Sequence, residues 1–110
     1  MKTLREVTEV PQTEKEFTTA VISLAQILGW RVHRNWTELH SPKGWPDLVL
    51  CRESDDGTTA ELVVLEIKSE RGQLTPEQQE WLTLLGKVPG VRAQCVRPSD
   101  WDSLCSLLKA

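Results

Sequence analysis

Two apolar runs around a short polar segment constrain this chain more than any other feature: DLVLCR at 47–52 and ELVVLEIK at 61–68 flank ESDDGTT. Read as strands joined by a turn, they form an antiparallel hairpin. Strand side chains alternate between faces, so Val63, Leu65 and Ile67 share one face while Val64, Glu66 and Lys68 share the other. A core strand therefore points an acid and an amine the same way, just where its apolar run ends.

The rest of the chain builds layers around that hairpin. Thr13 followed by Glu16 has the pattern of a capping box, and Phe17, Val21, Leu24 and Leu28 recur at helical spacing until Gly29, predicting a helix over 14–28. WRVHRNW alternates as a strand, and SPKGWP is turn chemistry. In LTPEQQEWLTLLG, Thr75 is the expected N-cap, Pro76 the first helical residue and Gln78 the closing member of a box, with Trp81, Leu82 and Leu85 facing inward. VRAQCV reads as a fourth strand, and PSDWDSLCSLLKA as a last helix capped by Ser99 with Trp101, Leu104 and Leu108 buried. The expected class is α/β, a mixed sheet flanked by helices in the order α-β-β-β-α-β-α. Residues 1–12 read as a flexible lead-in and 13–110 as a single domain.

A chain of 110 residues can bury one core without staples. Its three cysteines, Cys51, Cys95 and Cys105, are odd in number, far apart and outside any zinc-ligand spacing, which fits a reducing compartment. No segment reads as a signal peptide or approaches the ~20 apolar residues of a bilayer span, so a soluble, cytoplasmic protein with no membrane partner is expected. Thirteen lysines and arginines against 16 aspartates and glutamates give a net charge of −3, which argues against indiscriminate nucleic-acid binding. The excess lies in Glu53, Asp55 and Asp56 of the turn, and a locally basic face around Arg31, Arg34, Lys43 and Arg52 remains available.

Asp47 opens the strand that partners Glu66, after Pro46, which fixes φ and donates nothing to a ladder. With the turn centred near residue 57, Val49 is expected opposite Leu65 and Asp47 opposite Ile67, within a residue or two of Glu66 and Lys68. Two clustered carboxylates repel unless a cation sits between them, and a hard divalent ion such as Mg²⁺ suits oxygen ligands. Such a site polarises a phosphoryl oxygen and activates water, with Lys68 holding the water or offsetting charge on phosphorus. The alternative for Glu66 and Lys68 is a plain ion pair on a solvated strand edge.

Pro46-Asp47 followed by EIK at 66–68 resembles the PD-(D/E)XK nuclease superfamily. More closely, GWPDLVL, LEIKSERGQLTPEQQEWL and VRPSDWDSL resemble the small VRR-NUC domains, often free-standing in phages and bacteria, over about residues 13–104. The resemblance implies a restriction-endonuclease-like fold in which Asp47, Glu66 and the backbone carbonyl of Ile67 ligate Mg²⁺ or Mn²⁺ while Lys68 positions the nucleophile. It further implies an acid from the first helix, assigned to Glu16 with Glu14 as the alternative, and Gln78 from the helix after the motif. Capping alone would also explain Glu16 and Gln78.

The resulting expectation is a Mg²⁺- or Mn²⁺-dependent, structure-selective DNA endonuclease acting on branched DNA such as Holliday junctions or flaps, since so small a domain has little surface for reading a long base sequence. The resemblance implies a homodimer, and bacterial host cytoplasm if the gene is phage-borne. The rival reading is a non-catalytic module that holds DNA or a partner on a nuclease fold. Candidate DNA contacts are Arg34, Lys43, Trp45 and Arg71, each with a surface or packing role as the alternative. Trp36 shares the choice between base stacking and packing, whereas His33 and His40 read as filler.

Overall fold

The computed structural model describes residues 13–35 and 41–110; the lead-in at 1–12, Trp36 and His40 lie outside the described residues. The elements run α1 Glu14–Ile27, β1 Arg31–Arg34, β2 Leu48–Glu53, β3 Ala60–Ile67, α2 Pro76–Gly86, β4 Val91–Val96, a 3₁₀ turn Pro98–Asp100 and α3 Trp101–Lys109. The order is the expected α-β-β-β-α-β-α, and the four strands form one mixed sheet, β1-β2-β3-β4, antiparallel except where β4 joins β3 in parallel through α2.

Helix α1 begins where Thr13 accepts the Glu16 N–H on its side chain and ends at Leu28. Gly29 then turns back with φ +91°, a region costly for other residues, and lets Trp30 N–H reach the carbonyl of Ala25 at 2.9 Å. Phe17, Val21 and Leu24 of α1, with Trp101, Leu104 and Leu108 of α3, bury one sheet face formed by Leu48, Leu50, Val63, Leu65 and Ile67. Helix α2 lies across β4 and β3, its buried Leu82 on the side of Val64.

Pairing in the hairpin departs by one residue from expectation. Leu48 sits opposite Leu65 and Val49 opposite Val64. A one-residue shift exchanges faces. Asp47, whose carbonyl still accepts from Asn35 N–H at 2.8 Å, continues this register to a place opposite Glu66 rather than Ile67. The shift brings Asp47 onto the same face as Glu66 and Lys68.

Two further expectations are corrected. Ser99 does not cap the last helix: Pro98 opens a 3₁₀ turn, Asp100 Oδ2 accepts the Arg97 N–H at 2.8 Å, and the Ser99 N–H is taken by the Glu70 carboxylate. Nor is Trp81 a core residue: half-buried, it packs edge-to-face on Trp45 with ring centroids 4.9 Å apart, because α2 presents it to the 41–46 loop and not to the sheet.

Candidate active site

The open end of the β2–β3 hairpin gathers the acids. Pro46 is buried and delivers Asp47 to the strand entrance, where Asp47 Oδ2 accepts the Ile67 N–H at 2.8 Å. That bond fixes one carboxylate against the backbone between Glu66 and Lys68. Glu66 is only 2% exposed, and among the described residues no donor reaches its Oε1. Burial, then its close contact with Asp47 and the charge there, push the Glu66 pKa well above the ordinary carboxylate range; Lys68 opposes this and Glu14 adds to it.

The plain ion-pair reading of Glu66 and Lys68 does not fit this geometry. Among the described residues no ion pair joins them. Burying a carboxylate costs several kcal/mol, whereas an exposed pair returns ~0–1 kcal/mol, so stability alone does not account for Glu66.

Gln78 does two jobs with one amide. Its Oε1 accepts from Thr75 N–H at 2.9 Å while Thr75 Oγ1 accepts from Gln78 N–H at 3.2 Å, completing the capping box. The box orients the amide, turning its Nε2 toward Glu66 Oε2 at 3.5 Å, a long contact. The cap and the site therefore use opposite ends of one side chain.

Glu14 and Glu16 are both exposed at the start of α1, and they leave the helix in different directions. Each helical residue turns about 100°, so Glu14 lies over Phe17, Thr18 and Val21, the buried stripe, whereas Glu16 lies about 200° away from Glu14. Glu14 is close enough for its charge to act on Glu66.

Lys68 is half-buried on β3's site face, its stem beside Gly72, where an added Cβ would lie 3.4 Å from Lys68 Cδ. The segment after it is tied down by Gly72 N–H to the Ser69 carbonyl at 3.1 Å and by Arg97 Nη2 to the Gly72 carbonyl at 2.7 Å. Arg97 is a supporting residue that sequence reasoning did not single out.

The candidate DNA contacts disperse. Arg34 pairs with Leu48, which sets it on the sheet face opposite to Glu66. Lys43 lies 3.4 Å from Glu77 with its side chain 80% exposed. Trp45 packs on Trp81, and Arg71 is exposed. His33 is exposed on β1.

The acids suit a hard divalent ion. Among the described residues no three His, Cys, Asp or Glu side chains form a metal-binding group. Two carboxylates facing each other, one of them buried with an oxygen lacking a donor, nevertheless match an ion such as Mg²⁺, which takes one or two carboxylates and keeps several waters. No helix among the described residues is long and apolar enough to cross a membrane.

Comparison with known proteins gives the family of the chain. The VRR-NUC domain matches residues 5–100. A stretch of 53 residues is 36% identical to the Fanconi-associated nuclease 1 homolog of Arabidopsis thaliana, covering 48% of this chain but 5% of that much longer protein. No solved structure matches.

Proposed function

Because the chain belongs to the VRR-NUC family of nuclease domains, we propose that it hydrolyses DNA phosphodiesters with Mg²⁺ or Mn²⁺, at branched substrates such as junctions or flaps. The observation that carries this reading is the buried Glu66 carboxylate, unpartnered at Oε1 and facing Asp47, with Lys68 on the same face. Asp47, Glu66 and the Ile67 carbonyl are assigned to hold the ion. Of the two first-helix acids, Glu14 is taken here in preference to Glu16, since its charge is the one that reaches Glu66. When bound, the ion supplies Lewis-acid charge at the phosphoryl oxygen and lowers the pKa of a water.

The chain's own groups do the rest. Asp47 is held in place by the Ile67 N–H and so keeps one oxygen on the backbone while facing Glu66. Lys68 positions the attacking water and offsets the negative charge that grows on the phosphoryl oxygens. Gln78 orients Glu66 through its amide N–H. The small surface favours recognition of DNA shape, and a homodimer would match a two-fold junction by placing two equivalent sites on it.

Cleavage of labelled single-stranded, duplex, flap and four-way-junction DNA, with Mg²⁺, Mn²⁺ or chelator, tests this. Metal-dependent cutting, strongest on a branched form and lost by at least ~10²-fold in Lys68→Ala while DNA binding persists, is the expected result. Sedimentation of the active species checks the dimer. Binding without cutting under either metal would replace the enzymatic reading with that of a DNA-holding module.

A further inference from the structure

The site's parts arrive from two segments distant in sequence, and they meet at one point outside the acids. Asp47 follows the loop 41–46, whereas Gln78 sits in the first turn of α2. Gly44 has φ +85°, and a Cβ there would lie 2.5 Å from the Glu77 carbonyl carbon and 2.7 Å from the Gln78 nitrogen. The loop backbone thus lies directly on the peptide that enters Gln78. No side chain fits between them.

Three contacts surround that approach. Trp81 Nε1 donates to the Lys43 carbonyl at 3.2 Å, the Trp45 and Trp81 rings meet edge-to-face, and Lys43 pairs with Glu77. The last is exposed and adds little. The backbone approach and the indole contacts set the spacing. From Gly44 the chain reaches Asp47 through buried Pro46, whose φ is fixed, so a displacement of the loop is passed on to the carboxylate.

We infer that Gly44 and Trp81 are positioning residues: Gly44 against the Glu77–Gln78 peptide and Trp81 against Lys43 and Trp45 together set the separation of Asp47 from Gln78, and, through the Gln78 amide beside Glu66, place the two acids relative to each other. The inference rests on the proposed role of those acids, but its main test needs neither metal nor turnover. The Ile67 amide donates to Asp47 Oδ2, so its hydrogen exchange reports where that carboxylate is.

Amide exchange is therefore measured by NMR in chelator on the whole chain, for wild type, Gly44→Ala and Trp81→Phe, the last losing the N–H donor but keeping a ring. Exchange at Ile67 should quicken by about tenfold in Gly44→Ala and severalfold in Trp81→Phe, while amides of β3 remote from the site, such as Val63, stay protected. Mn²⁺ affinity, by calorimetry without DNA, should fall ~10-fold in Gly44→Ala, with a loss in kcat rather than in KM for DNA. If Gly44→Ala does not fold, Trp81→Phe decides.

An Ile67 amide unchanged in the folded variants overturns the inference even where wild type binds metal and cuts DNA. A quickened amide in a protein that neither binds Mn²⁺ nor cuts upholds the positioning and overturns the nuclease reading instead.

Discussion

Glu66 carries the sharpest consequence at the scale of one residue. Its pKa is raised in the folded protein, so the metal-free fold is favoured below the unfolded value near 4.5 and loses that advantage as pH climbs through the raised folded value. Thermal unfolding in chelator should show Tm falling between about pH 5 and pH 8, unlike the rise that a salt-bridged carboxylate produces. Glu66→Gln should remove most of that slope and stabilise the metal-free protein at pH 7 by about 1–3 kcal/mol, while abolishing metal binding. A Glu66→Gln protein with an unchanged pH slope would move the effect to another group. The same residue shows what sequence could and could not reveal: EIK marked the acid and the lysine, but burial and the missing donor at Oε1 come from the tertiary packing of Gln78, Asp47 and β4 around it.

At the scale of elements, the decisive facts are which face of a helix and which face of a strand meet. Strands and helix starts were legible because Thr75-Pro76 with Gln78, and the apolar run of 62–65 bounded by a polar turn, are local codes. Pairing register was not, since the turn length does not state where the ladder closes; the observed shift by one residue changed the face of Asp47. The choice of helix acid rests on the charge of Glu14 that reaches Glu66. Glu14→Ala should reduce cleavage by at least ~10-fold, whereas Glu16→Ala should change it less than twofold and cost at most ~0.5 kcal/mol in urea unfolding, as an exposed first-turn acid. Equal losses in both variants would sink the assignment. Ser99 and Trp81 went astray for a related reason, because a cap and an amphipathic position each have a local pattern while their partners, Glu70 and the 41–46 loop, are remote.

Across the whole molecule, one cation ties the far end of the sheet to both helices on its core face. Arg52, on β2, donates from Nη1 to the Leu28 carbonyl at 3.2 Å and the Leu108 carbonyl at 2.8 Å, reaches Ala110, pairs with Glu61 at 2.9 Å and covers the Trp30 ring at 4.3 Å. These partners close the carbonyl ends of α1 and α3, where a positive charge is favoured. Arg52→Ala leaves those carbonyls without their donor, and should lower stability by about 2–3 kcal/mol in denaturant unfolding. It should do so without changing Mn²⁺ affinity in the protein that remains folded. Loss of affinity in parallel with stability would mean that the two ends of the sheet are not independent.

The same separation has a practical side. The β2–β3 turn at 54–59, held by Asp56 through Thr58 N–H at 2.9 Å and Ser54 Oγ at 2.8 Å, lies at the opposite end of the hairpin from Asp47 and Glu66. The seven residue steps of strand from Thr59 to Glu66 span ~23 Å. Dyes, affinity handles or surface tethers attached at that exposed tip would leave the acids facing the solution, so single-molecule observation of an immobilised protein on branched DNA can use this turn as its anchor.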